Sequence, residues 1–61
     1  MRILRLSEVI YRTGLARSTI YKLMKAKEFP QAVPLMVRTV GWIETEVNDW
    51  IKSKIQMRDG F

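Results

Sequence analysis

Hydrogen-bonding and cationic side chains are concentrated in one stretch of the sequence, TGLARSTIYKLMKAKEFP, residues 13–30. Arginine can pair bidentately with guanine, and serine or threonine hydroxyls can reach bases or phosphates. The stretch contains no acidic residue before Glu28, so a phosphate would meet little repulsion there. The chemistry predicted for it is binding of a nucleic acid. The candidate contact residues are Arg17, Ser18, Thr19, Tyr21, Lys22 and Lys25.

A first helix and a turn must position these residues. Ser7 can act as the N-cap of a helix over residues 8–13, with Glu8 favourably placed in its first turn. Gly14 suits a helix end that requires a positive φ, and Leu15 is predicted to be buried between this helix and the next. The preceding stretch RILRL is predicted to be extended. Two helices joined by such a turn form a helix-turn-helix unit, whose second helix enters the major groove of DNA.

The second helix carries the candidate contact residues. Ile20, Leu23 and Met24 recur at i, i+3 and i+4, so they predict one apolar face that packs on the core. The polar and cationic residues then occupy the other faces, where DNA can reach them. Pro30 is predicted to end this helix, and Phe29 beside it is predicted to be a core residue.

A short β-hairpin is predicted over VPLMVRTVGWI, a segment rich in Val, Leu and Ile. Pro34 indicates an edge strand, and Gly41 indicates a bulge or close packing. The turn is placed at residues 37–39, so Arg38 and Thr39 lie at the hairpin tip and would flank the groove as a wing. Judged alone, Arg38 is equally well explained by a solvated turn.

A third helix follows the hairpin, and Glu44 or Thr45 can cap its N-terminus. We place one domain at residues 1–56 and expect the tail 57–61 to fray. The predicted fold class is mainly α with a small β-hairpin, a winged helix-turn-helix with three helices. The apolar face of the third helix is formed by Val47, Trp50, Ile51 and Ile55.

Three aromatic residues outside the second helix could also contact DNA. Trp42 and Trp50 could stack on bases, as in single-strand binders, but their positions on apolar segments favour core packing. Tyr11 could pack on the rim of the core or offer its hydroxyl to a phosphate. Trp42 and Trp50 are therefore predicted to be structural, and Tyr11 is left outside the site.

Composition narrows the function classes. The 61 residues include neither cysteine nor histidine, so a disulfide framework, a thiolate nucleophile and the commonest metal ligand are missing. A domain of this size also has little room for a deep catalytic cleft. We therefore expect no enzyme activity, no cofactor and no metal site. No apolar run approaches the roughly 18 residues of a membrane span, and no signal peptide is recognisable, so the expected location is the cytoplasm.

The net charge of +5 is unevenly distributed. Residues 1–43 carry eight Lys or Arg and two Glu, a net +6, while residues 44–61 carry three Lys or Arg and four acids, a net −1. This asymmetry favours a polyanionic partner through counterion release and steering. A basic surface also suits membrane headgroups or simple solubility, so charge alone does not decide between these partners.

Two other hypotheses remain open from the residues. The polar side chains of residues 17–25 could simply face water, as on any amphipathic helix. Alternatively, the acidic third helix could dock on a partner such as an integrase or a response regulator, which would make the chain a protein-interaction module. Charge reversal separates DNA binding from protein docking, because the first depends on Arg17 and Lys22 and the second on Glu46 or Asp49.

Several motifs together resemble those of one known family. They are RL before the first helix, TGLARSTIYKLM at the turn and second helix, FP after it, and VGW leading to ETEVNDWI. They are similar to the AlpA family of small prophage regulators, which have a MerR-like winged helix-turn-helix. The resemblance covers about residues 5–52, nearly the entire domain.

The resemblance implies a double-stranded DNA-binding regulator of a prophage or integrated element. Such a protein would activate an integrase gene or act as an excisionase-like architectural factor. The partners that the resemblance implies are double-stranded DNA and a phage integrase. Ala16 stands where a helix-capping residue is usual, and Met36 where a glycine often sits. Because no heptad pattern indicates a coiled coil, we expect a monomer in solution. Because so small a domain makes limited contact with DNA, we expect several copies on DNA. The residues that the resemblance supports are Arg17, Ser18, Thr19, Tyr21, Lys22 and Arg38.

Overall fold

Three helices and three short strands make up the fold of residues 1–60, the part of the chain that a computed structural model describes. The predicted fold class, three helices with a small β-hairpin arranged as a winged helix-turn-helix, is confirmed. The elements in chain order are β1 (Ile3–Leu4), α1 (Leu6–Thr13), α2 (Arg17–Lys25), β2 (Val33–Met36), β3 (Thr39–Ile43) and α3 (Glu44–Asp59).

The strands form one antiparallel sheet in the order β1, β3, β2. Strand β1 confirms the extended start of the chain, but its pairing with β3 was not predicted. Strand β2 lies at the sheet edge, as Pro34 indicated. The register shift in this strand falls between Pro34 and Met36 rather than at Gly41. The other prediction for Gly41, close packing, is confirmed, because a Cβ there would overlap the side chain of Ile3.

The core lies where the sheet meets the helices, and each helix contributes one fully buried residue to it. Phe29, in the loop after α2, joins them as predicted. The Nε1 of Trp42 donates a hydrogen bond of 3.1 Å to the carbonyl oxygen of Pro30. The ring of half-buried Trp50 meets Phe29 edge-on at a centroid distance of 4.8 Å, so the structural roles predicted for both tryptophans are confirmed. The buried residues are Leu4, Val9, Ile20, Phe29, Trp42 and Val47.

Two predicted N-caps are wrong because strand pairing carries the chain directly into each helix. Helix α1 begins at Leu6, so Arg5 occupies the N-cap position and Ser7 lies inside the first turn. Glu8 is in that turn as predicted, and its Oε1 accepts a long hydrogen bond of 3.4 Å from the Arg5 N–H. Helix α3 follows β3 without a connecting residue, so Ile43 takes the N-cap position instead of Glu44 or Thr45.

The C-terminal ends of the helices also differ in part from the predictions. Gly14 ends α1 with a φ of 71°, as predicted. Helix α2 ends at Lys25, well before Pro30, and Lys27 follows with a φ of 62°. Helix α3 continues through Asp59, beyond the boundary placed at residue 56. Fraying of its last turn stays a prediction, and Phe61 lies outside the described residues.

Candidate nucleic-acid interface

The outward face of α2 holds most of the predicted contact residues. Ile20 is fully buried and Leu23 and Met24 are partly buried. Because these three residues share one face of the helix, the opposite face is exposed at the surface. Thr19 is half-buried and lies toward the core side. At about 100° per residue, the exposed residues cover an arc of about 140° on one side of the helix. They are Arg17, Ser18, Tyr21, Lys22 and Lys25.

The N-terminus of α2 lacks a capping side chain. Ala16 occupies the N-cap position in an extended conformation and makes no side-chain hydrogen bond to the helix. The N–H groups of a first helical turn have no acceptor within their own helix, and they carry the positive end of the helix dipole. No acidic residue stands in this turn. The start of α2 therefore offers donors and positive potential to an anion.

Arg17 is supported by its neighbour one turn along the same helix. The guanidinium carbon of Arg17 lies 5.8 Å from the centroid of the Tyr21 ring, within the range of a cation–π contact. Such a contact orients the guanidinium while leaving its N–H donors available. Tyr21 is 39% exposed, so the pair is accessible to a large ligand.

The hairpin between β2 and β3 projects an apolar tip beside one arginine. Met36 and Val37 are 73% and 88% exposed, and Arg38 has a φ of 62° in the left-handed region. Thr39 is half-buried and pairs with Met36 as the first residue of β3. The prediction that places Thr39 at the tip is therefore wrong by one residue, whereas Arg38 lies there as predicted.

A cleft of about 290 Å³ joins the start of α1, the start of α2 and the wing. It brings together Arg17, Tyr21 and Arg38, three of the predicted contact residues. Arg5 was not among the residues predicted from the sequence, because its position depends on the pairing of β1 with β3, and a two-residue strand has no recognisable sequence pattern. The cleft is lined by Arg5, Leu6, Ser7, Arg17, Tyr21, Arg38 and Val40.

Other cations are held by carboxylates that do not line this cleft. Arg12 of α1 donates to Glu44 at 2.9 Å and to Asn48 at 3.3 Å, so it joins α1 to α3. Arg2 donates to Glu8 at 2.7 Å. Arg58 pairs with Asp59 at 2.7 Å, and this hydrogen bond raises the pKa of Arg58 against a smaller opposing effect of desolvation.

Comparison with known proteins identifies the family. The protein-family model described as Prophage CP4-57 regulatory protein (AlpA) matches residues 2–55 of this chain. The chain belongs to the AlpA family. It is 41% identical over 63 aligned positions to the DNA-binding transcriptional activator AlpA of Escherichia coli, with 93% of this chain and 90% of that protein covered. It is 44% identical over 57 positions to Uncharacterized protein ORF88 of Enterobacteria phage P4, covering 93% of this chain and 65% of that protein.

The AlpA match extends over the whole candidate interface. Residues 2–55 include every predicted contact residue and also Arg5. Helices α1 and α2 of this AlpA-family chain are joined by a three-residue turn, residues 14–16, which gives the helix-turn-helix connection. Tyr11 is 90% exposed, so it does not pack on the core rim.

Residues 1–60 contain no group of three His, Cys, Asp or Glu side chains placed to hold a metal ion. Of the helices described, none has the length and apolar character needed to cross a membrane.

Proposed function

We propose that this AlpA-family protein is a sequence-specific double-stranded DNA-binding transcriptional regulator of a prophage or integrated element. The observation that carries the proposal is the convergence of the exposed face of α2 and the wing residue Arg38 on one cationic side of the domain. Helix α2 enters the major groove, and the wing lies along the backbone or in the minor groove. The name of the Escherichia coli relative supports the same function.

The residues divide between sequence recognition and positioning. Ser18, at the N-terminal end of α2, contacts base edges, since this end of a recognition helix points into the groove, and Arg17 beside it contacts a phosphate at the edge of the groove. Lys22 and Lys25, further along the exposed face, neutralise phosphates. Each phosphate neutralised changes the slope of log K against log salt concentration by about −0.9. DNA binding by this protein therefore weakens steeply as salt increases.

The proposed target is an integrase gene or the attachment region of the integrated element. A domain this small makes limited contact with DNA, so specificity requires several copies on repeated sites or bending that assists a recombinase. The protein is a monomer in solution, works in the bacterial cytoplasm and catalyses no reaction. Regulation of the integrase gene and excisionase-like action remain two versions of this proposal.

Footprinting with a charge-reversed variant tests the proposal. The wild-type protein should protect repeated sites near the integrase promoter or attachment region at moderate salt. The double change Arg17→Glu and Lys22→Glu should abolish protection, since it places two carboxylates beside the phosphates. The control, Lys52→Glu with Lys54→Glu on α3, makes the same change in net charge and should preserve protection. No wild-type protection of any site, or equal loss in both variants, would contradict the proposal.

A second candidate function uses the opposite charge. Glu46 and Asp49 of α3 are exposed and border a groove with apolar walls that include Val33, Pro34 and Ile43. This groove suits a basic, partly apolar segment of a protein partner such as an integrase or a response regulator. If Glu46→Lys or Asp49→Lys abolishes regulation while the Arg17→Glu and Lys22→Glu variant retains it, protein docking is the primary function.

A further inference from the structure

We infer that the cleft between α1, α2 and the wing binds one phosphodiester group of duplex DNA, which Arg5, Arg17 and Arg38 surround. This inference rests on the proposed DNA binding and adds a contact at the start of α1. Phosphate contacts fix the register of a protein on the duplex without carrying sequence information. A phosphate held here would therefore set how α2 and the wing lie relative to the DNA backbone.

The arginines of the cleft differ from the other arginines of the chain in their ion pairs, and this difference supports an anion site. The sequence has six arginines, and three of them, Arg2, Arg12 and Arg58, form ion pairs with carboxylates. Within residues 1–60 the other three form no ion pair, and all three line the cleft.

Among residues 1–60, no acidic side chain lines the cleft. The acid nearest along the chain, Glu8, is held by Arg2 at 2.7 Å. Three cations without a counter-ion repel one another, so an anion bound between them relieves that repulsion.

The backbone adds donors to the same place. Leu6 and Ser7 line the cleft as the first two residues of α1. Their N–H groups belong to a turn that has no acceptor within its own helix, and they lie at the positive end of the helix dipole. Guanidinium groups form paired N–H donors that match two oxygens of a phosphate. The cleft therefore combines charge and directed donors suited to a phosphate group.

The position of the cleft favours a phosphate of DNA over free phosphate. One wall is α2 and the other is the wing, the two elements proposed to contact the groove and the backbone. A phosphodiester between them belongs to the DNA that α2 and the wing already contact, so it is bound together with that DNA, whereas a free phosphate ion would have to bind separately. Free inorganic phosphate would use the same chemistry, so the experiment must separate the two sources.

Methylphosphonate scanning combined with Arg5→Gln tests the inference. Each phosphate of a footprinted site is replaced in turn by a neutral methylphosphonate, and affinity is measured for the wild type and the variant. At one position, neutralisation should weaken wild-type binding about tenfold, as expected for loss of a charge-assisted contact, and should weaken Arg5→Gln binding less than about threefold. Arg58→Gln is the matched control, because it removes the same charge from an exposed residue on α3, and it should behave as the wild type.

The outcomes separate this inference from the proposed function. If the wild type protects its site but no methylphosphonate position couples to Arg5→Gln, the cleft does not bind a DNA phosphate and only the inference fails. If inorganic phosphate titrated into the free protein, followed by amide chemical shifts of Leu6 and Ser7, saturates at micromolar concentration without such coupling, the site is one for free phosphate and the inference is again overturned. Circular dichroism of Arg5→Gln should match the wild type, and Arg5→Lys should retain part of the coupling.

Discussion

The guanidinium of Arg17 lies against the ring of Tyr21 at 5.8 Å, one turn apart on the exposed face of α2. At an exposed site a cation–π contact contributes about 0.5–1 kcal/mol. Its main effect here is to restrict the long Arg17 side chain to orientations that face the proposed DNA groove. In the proposed interface, Tyr21 would thus support Arg17 even where its own hydroxyl makes no contact.

Replacing Tyr21 should separate support of Arg17 from a direct contact by the hydroxyl. Tyr21→Ala should weaken DNA binding about two- to fivefold, the equivalent of about 0.5–1 kcal/mol, while Tyr21→Phe keeps the ring and stays near wild-type affinity. Fluorescence anisotropy with a labelled duplex measures both. Met57→Ala, at an exposed position of α3, is the control and should have no effect. Equal losses in the Phe and Ala variants would instead assign the contribution to the hydroxyl.

Side-chain spacing was sufficient to predict α2, because Ile20, Leu23 and Met24 alone define which face is buried. The same spacing located α3. The helix starts could not be predicted in this way, since the pairing of β1 with β3 decides where the chain leaves the sheet. Arg5 was missed for the same reason, because its place beside Arg17 depends on contacts between residues far apart in sequence.

A glycine at position 27 should stabilise the domain. After α2, the Lys27 N–H donates to the Met24 carbonyl at 3.0 Å and the Glu28 N–H donates to the Leu23 carbonyl at 2.8 Å, the paired bonds of a Schellman motif. Lys27 holds the left-handed position of this motif with a φ of 62°, where a side chain is disfavoured by about 1 kcal/mol. Lys27→Gly should therefore raise the free energy of unfolding by roughly 0.5–1 kcal/mol, and the melting temperature by several degrees.

Thermal unfolding with two comparison variants identifies the cause of that change. Lys27→Ala removes the same charge but keeps the strained conformation, so it should give little stabilisation. Lys22→Gly, inside α2, should destabilise by about 1 kcal/mol because glycine is a poor helix former. A gain in Lys27→Ala equal to that in Lys27→Gly would attribute the effect to charge instead of backbone conformation.

The ion pair between Arg12 and Glu44 should couple α1 to α3. Its Nη2 to Oε2 distance is 2.9 Å, and both side chains are about three-quarters buried. A double-mutant cycle with Arg12→Ala and Glu44→Ala, measured by urea unfolding, should give a coupling energy of about 1 kcal/mol at low salt. The coupling should decrease in high salt through screening. Additive effects of the two changes would mean that the pair contributes nothing to stability.

The close approach of β1 to β3 at Gly41 should make this position intolerant of any side chain. A Cβ there would overlap the Cγ2 of Ile3 and lie 3.1 Å from the carbonyl oxygen of Leu4. Gly41→Ala must therefore push β1 outward, and overpacking of this kind costs about 1–3 kcal/mol. Because β1 leads directly to Arg5, the displacement should also weaken DNA binding under conditions where the variant is still folded.

A second substitution tests whether Ile3 is the obstacle. Ile3→Ala removes the side-chain atom nearest to the new Cβ, so the double variant Gly41→Ala with Ile3→Ala should be more stable than the sum of the two single effects predicts. Urea unfolding gives the free energies, and anisotropy gives the affinity of each variant for DNA. Strictly additive free energies would show that the other neighbours of the new Cβ, the Leu4 carbonyl oxygen and Leu35 Cδ1 at 3.1 Å each, set the limit rather than Ile3. If the folded Gly41→Ala variant loses stability but keeps its affinity for DNA, the position of β1 does not determine how Arg5 contributes to DNA binding.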